Sequence, residues 1–267
     1  MAGEWLGRHG SRREIAAAAN VELRDDGTAR VACGAQDIGT GTYTVLALLT
    51  SDKTGVPVEK VEVVLGDTAL PHGPVSGGSW ATASVVPAVF AAADNAITSL
   101  LNAATTTPGS PFENRKPDDL AFKGGRVFVK ADGPGGGVPF ADLLKRADLR
   151  LVTGSGRSEG IFGSKAKPKF SMHSYGCHFV EVTWQPEIAR LRVNRVVTVI
   201  DGGRIINPLA GRNQIEGAVV MGIGMATVGA HNLRPAKRRT DKQQPGRLHR
   251  GRERRRATAR GALPRLS

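Results

Sequence analysis

The residues in this sequence best placed to do chemistry are glycines set just ahead of helices. Gln36-Asp37-Ile38-Gly39-Thr40-Gly41-Thr42-Tyr43-Thr44 follows a strand ending in Ala29-Arg30-Val31-Ala32-Cys33 and opens a helix near Thr42. Val45, Leu46, Leu48 and Leu49 are the expected apolar face of that helix. Gly39 and Gly41 permit positive φ and a close ligand approach, and Thr40 or Thr42 is the expected cap. The first helical N–H groups lack partners inside the helix, so this turn is expected to offer bare amides to an anion. Gly77-Gly78-Ser79 precedes a second helical stretch, 81–104, and Asp201-Gly202-Gly203-Arg204-Ile205-Ile206-Asn207-Pro208 precedes a third, 209–225. Three such turns could serve one large, phosphate-bearing cofactor.

Strands and helices must position these turns. The segments 21–24 and 28–32 alternate around Asp25-Asp26-Gly27 as a hairpin, and 61–65 reads as a further strand. The loop 66–79 has no period, and surface connection and binding loop are both open for it. The alanine-rich stretch 81–104 reads as a buried helix with Pro87 inside it. Residues 120–123 and 126–129 flank Gly124-Gly125 as a second hairpin, and 138–144 reads as a short proline-started helix. The stretch 153–170, rich in glycine, serine and lysine, is expected to be an exposed loop. The clearest strands are 178–184 and 189–200, joined by a turn at 185–188. Trp80 is expected in the core and Cys33 and Cys177 buried. His173 and His178 have no third donor spaced to complete a metal site. Ser84, Ser158 and Ser164 lack a nucleophile elbow, which leaves a serine hydrolase without support.

Three motifs, in order, carry a resemblance. They are Gln36 to Thr44, Ser76-Gly77-Gly78-Ser79-Trp80, and Ile206-Asn207-Pro208 with Asn213-Gln214-Ile215-Glu216-Gly217-Ala218. Together they resemble the molybdenum-cofactor-binding subunit of the xanthine dehydrogenase/aldehyde oxidase family, over roughly 21–226. The resemblance implies an α+β fold of mixed sheets with packed helices. It implies a bound molybdenum–molybdopterin cytosine dinucleotide and hydroxylation of an aldehyde or N-heterocycle with water as the oxygen source. Carried over by position, Ile38, Gly39, Thr40 and Gly41 would line the dinucleotide. Gly77, Gly78 and Ser79 would approach the pterin and the metal's oxygen ligands. Arg204, Ile205, Ile206 and Asn207 would contact the pyrophosphate-bearing part, and Gln214 the pterin. The family implies an iron–sulfur partner subunit and often a FAD subunit. Its general-base glutamate lies in a Gly-Glu-x-Gly element that this sequence does not carry. Glu216 belongs to another motif and Glu253 sits among arginines, so no catalytic residue is assigned.

The 267 residues carry a formal net charge of +13, and residues 231–267 alone hold 13 Lys+Arg against 2 Asp+Glu. The basic character therefore belongs to the tail, and specific nucleic-acid binding does not follow from it. No secretory signal or membrane span is read, so a cytoplasmic setting is expected, or a periplasmic one if a partner subunit carries the chain there. The expected organisation is an undetermined segment 1–20, a cofactor-binding region 21–226 of two α+β lobes parting within 105–170, and a tail 227–267. That tail is either a disordered extension that binds nucleic acid or other acidic partners nonspecifically, or an out-of-frame continuation, and on both readings the isolated chain is expected to be incomplete and inactive. The second reading is preferred, because a shifted GC-rich back-translation resembles what the family carries next. The coding DNA tests it: an in-family continuation should appear in another frame, and its absence would dismiss the idea.

Overall fold

The computed structural model describes residues 15–159 and 173–228, with the residue pairs 232–233, 240–241 and 260–261. The segments 1–14 and 160–172 and most of the tail lie outside the described residues, and with them most of what was expected of the tail. The chain divides into two compact units, 1–168 and 169–267.

In the first unit, β1 (Ile15–Arg24), β2 (Ala29–Cys33), β3 (Val61–Leu65) and β7 (Leu151–Glu159) form one sheet in the order β3-β2-β1-β7. Only the β2–β3 pair is parallel, bridged by helix α1 (Thr42–Thr54). Helix α2 (Ala81–Thr106) packs across β1 and β7. A smaller antiparallel sheet holds β4 (Leu120–Lys123), β5 (Arg126–Val129) and β6 (Val138–Pro139), and α3 (Phe140–Arg146) follows it. Mixed sheets and packed helices make this the expected α+β class.

Hydrophobic alternation builds the main sheet. Ala17, Ala19, Val21 and Leu23 of β1 and Ala29, Val31 and Cys33 of β2 are buried on one side. The β1–β2 turn is the expected hairpin, with Gly27 at φ 81°. Asp26 accepts the Thr28 amide at 2.9 Å and its hydroxyl at 2.6 Å, which holds the Asp26 carboxyl below its ordinary value. The other side of the sheet is charged. Arg24 reaches Glu22 at 3.0 Å and Glu62 at 2.9 Å, while Arg30 reaches Glu22 at 3.0 Å.

Strand β7 corrects the reading of 153–159 as loop. Its residues alternate strictly between exposed and buried, but the inward positions are Val152, Gly154, Gly156 and Ser158. Small inward residues let α2 lie directly on the strand. A Cβ on Gly154 would stand 2.1 Å from Ala92 O, and one on Gly156 would stand 2.1 Å from Ala88 O. Ser158 Oγ donates to Ser84 O at 2.6 Å within this contact, and Asn95 Nδ2 donates to Ser155 O at 2.7 Å. Helix α2 is long and apolar enough to cross a membrane by length and composition alone. Here its Ala88, Val89, Ala92, Ala96 and Leu100 are fully buried in the core of the unit.

Three further details differ from expectation. Leu48 of α1 faces outward while Val45, Leu46 and Leu49 are buried. The expected helix at 138–144 starts at Phe140, because Val138 and Pro139 pair with β5. Trp80 is half-buried at the head of α2 rather than in the core.

The second unit contains β8 (Tyr175–Gln185) and β9 (Arg190–Asp201), a long antiparallel hairpin, then α4 (Pro208–Thr227). Its elements lie where the sequence places them. Cys177 is exposed, against expectation, because among the described residues neither face of β8 is covered. Phe179, Val182 and Trp184 of β8 and Val220, Met221 and Met225 of α4 are likewise exposed.

The α2–β7 contact predicts a large effect from a single methyl group. Gly154→Ala or Gly156→Ala should cost about 2–3 kcal/mol, because the clashing atoms are backbone and cannot rotate away. Gly135→Ala, where a Cβ meets nothing within 4 Å, should be near neutral. Denaturant midpoints of the three variants check this.

Candidate functional site

The two glycine turns of the first unit lie at the C-terminal ends of the parallel strands β2 and β3, where open sheets commonly hold ligands. They are joined to each other. Ser76 Oγ donates to Gln36 O at 2.6 Å and accepts the Gln36 amide at 3.3 Å. The Gly34 amide donates to Pro71 O at 2.6 Å, and His72 O accepts from Ala18 at the same edge. A Cβ on Gly73 would stand 2.2 Å from Ala35 N, so this loop lies backbone-on-backbone against the end of β2. The loop 66–79 is thereby tied to the end of β2 at Pro71 and Gly73 and to the first turn at Ser76.

The first turn differs in one chemical respect from the expectation. Gly41 occupies the N-cap position at φ 81° and no side chain caps the helix there, so neither Thr40 nor Thr42 has the role expected of it. Asp37 meets the need instead. Its Oδ1 accepts the amides of Gly39 at 2.8 Å, Thr40 at 3.1 Å and Gly41 at 3.3 Å, and its Oδ2 accepts Tyr43 at 3.3 Å. The amides expected to be bare are therefore held by the chain's own carboxylate. Partial burial pushes the Asp37 carboxyl upward, but the amides of Gly39, Tyr43, Gly41 and Thr40 together outweigh it and hold the group below its ordinary value. Ile38 and Gly39 stay exposed at the tip of this turn and Thr40 is half-buried.

The second turn is open. Gly78 and Ser79 both take positive φ, at 61°. The amides of Gly77, Gly78 and Ser79 make no hydrogen bond among the described residues, and all three residues are exposed. A Cβ at Gly39 or Gly78 would meet nothing within 4 Å, so both backbones can be reached from outside. These features suit a large ligand that lies along the backbone.

The third turn belongs to the second unit. Asp201 ends β9, and its Oδ1 accepts the Gly203 amide at 3.1 Å, with Gly203 at φ 74°. Asn207 caps α4 by accepting the Ala210 amide at 3.1 Å, which leaves its Nδ2 as the group to donate elsewhere. Arg204 and Ile205 are exposed, Ile206 is half-buried, and Gln214 is exposed on α4. Arg212 and Glu216 pair at 2.7 Å along that helix. His178 Nδ1 lies 2.9 Å from Thr198 Oγ1, and no cluster of three metal-ligating side chains occurs among the described residues.

The first unit is thus an α+β domain with two clasped glycine-rich turns beyond the ends of parallel strands. The sequence profile of the molybdopterin cofactor-binding domain matches residues 3–235, and the chain belongs to that family. It is 32% identical over 234 residues to the aldehyde oxidoreductase molybdenum-binding subunit PaoC of Escherichia coli, covering 84% of this chain and 29% of that one. It is 29% identical over 216 residues to the putative xanthine dehydrogenase molybdenum-binding subunit XdhA of the same organism, covering 79% of this chain and 27% of the relative. Quinoline 2-oxidoreductase from Pseudomonas putida shares the fold with a TM-score of 0.63 at 23% identity, over 78% of this chain and 26% of that one. The chain thus spans under a third of the length of these relatives.

Sequence reasoning quoted Asp37, Gln36 and Ser76 within motifs but gave them no role. The signal for Asp37 was present: an aspartate two residues before a glycine favours a side-chain-to-amide turn. The depressed Asp37 pKa carries a sign. Its stabilising contribution is complete above the unfolded carboxylate value of about 3.9 and is lost as the pH falls through the lower folded value. Asp37→Asn should therefore lower stability at neutral pH and narrow its gap to the parent protein as the pH drops below about 4, measured by denaturant midpoints across pH.

Proposed function

We propose that this chain forms part of the cradle for a molybdenum–molybdopterin cytosine dinucleotide, within an oxidoreductase that hydroxylates aldehydes or N-heterocycles. When bound, that group supplies a dithiolene-held molybdenum able to hydroxylate an activated carbon with oxygen drawn from water. The observation that carries the reading is the clasp between Ser76 and Gln36, which makes one surface of the two glycine turns. On that surface the open amides of Gly77, Gly78 and Ser79 would face the pterin side, and Ile38, Gly39, Thr40 and Gly41 would line the dinucleotide. In the second unit, taken by itself, Arg204, Ile205, Ile206, Asn207 and Gln214 offer donors of their own, with Arg204 suited to a phosphate by charge. These residues bind and orient; none is assigned a proton transfer.

The relatives named as molybdenum-binding subunits support a partnered enzyme. We read an iron–sulfur subunit, and a FAD subunit in addition, as the electron acceptors. The exposed apolar side chains of β8 and α4 suit surfaces that pack within a longer subunit. Affinity-purified chain from a host that makes the cytosine form should contain molybdenum and acid-released CMP in equal amounts. Gly78→Val, a side chain forced to φ 61°, should lower both. Molybdenum without CMP would overturn the cytosine form, and neither would overturn the cradle.

A further inference from the structure

The head of α1 raises a question that the family assignment leaves open, namely which part of a dinucleotide the first glycine turn can accept. Four consecutive-turn amides converge on one carboxylate, at 2.8, 3.1, 3.3 and 3.3 Å. Those amides and the helix dipole behind them are what a phosphate would need. A phosphate placed there would have to displace Asp37 or sit beside it, and two anions a few ångströms apart repel. We propose that Asp37 is a positioning and specificity-determining residue whose carboxylate fills the anion place at the head of α1, so that the first turn meets a neutral part of the dinucleotide and turns its phosphates away. The exposed, uncharged tip at Ile38 and Gly39 fits such a contact. This inference rests on the cradle reading, but its test does not.

Inorganic pyrophosphate is titrated into the cofactor-free chain while the backbone amide resonances of Gly39, Thr40, Gly41 and Tyr43 are followed by NMR. In the parent protein they should stay put. In Asp37→Ala the vacated amides should shift saturably, with affinity at least about tenfold above the parent. Asp37→Asn keeps an acceptor and removes the charge, so it should show a smaller gain and serves if the alanine variant does not fold. Saturable shifts of these amides in the parent protein would overturn the proposal. So would folded alanine and asparagine variants that bind no better than the parent. A chain that never loads molybdenum or CMP would defeat the cradle reading and leave these amide results unchanged.

Discussion

Helix α2 touches strand β7 backbone to backbone, and the first unit is arranged around that contact. Gly154 and Gly156 carry no side chain to hold the helix off, and Ala88, Ala92 and Ala96 carry little. At Gly154 and Gly156 there is no side chain whose rotamer could absorb a shift, which restricts how far the helix can move on the strand. Ser158 fastens the same seam by donating to Ser84 O in the first turns of α2. The head of α2 is fixed as a result, and Gly77, Gly78 and Ser79 run directly into it.

The site inherits its order from two sources, one steric and one electrostatic. Sterically, the loop after β3 is pressed onto the end of β2 at Gly34 and Gly73, where no side chain would fit. Electrostatically, Asp37 gathers the amides of the first turn and fixes the shape of the chain between β2 and α1. The two turns therefore differ in character although their glycine patterns look alike. One has its donors satisfied internally, and the other keeps them outward. That difference separates a turn whose amides are spent on the chain itself from a turn whose amides are left available.

Much of the architecture was legible in the sequence because it follows simple periods. The β1–β2 hairpin, α1, β3, the β8–β9 hairpin and α4 all obey alternation or helical spacing, and their boundaries lie close to expectation except at β1, which starts at Ile15 rather than Val21, inside the segment left undetermined, because its added residues are mostly alanine and show no alternation. Strand β7 was missed because a hydrophobic alternation test sees nothing when the inward residues are glycine and serine. The alternation was present in size rather than polarity, and only the partner helix gives it meaning. The role of Asp37 was missed for a related reason. Helix-capping rules look at the residue next to the helix, whereas this carboxylate reaches forward from four residues before the cap position. Leu48 shows the limit of periodicity itself: position on the wheel places it beside the core, yet it stays 36% exposed. The family's motifs were readable throughout, since they rest on residue identity rather than burial.

The charged side of the main sheet has one more implication. Glu22 sits on β1 between Arg24 on its own strand and Arg30 on β2, and Arg24 also meets Glu62 on β3. Because a strand turns over with every residue, a slip of β1 by one position would drive Glu22 and Arg24 onto the core face beside Ala29 and Val31, expose Val21 and Leu23, and leave Arg30 without its partner on β1. The individual pairs are partly solvated and weak, yet together they act as a vernier that admits only one alignment of three strands. An assembling chain thus has a way to tell the correct pairing from its neighbour before the small residues of the opposite face have found their seats.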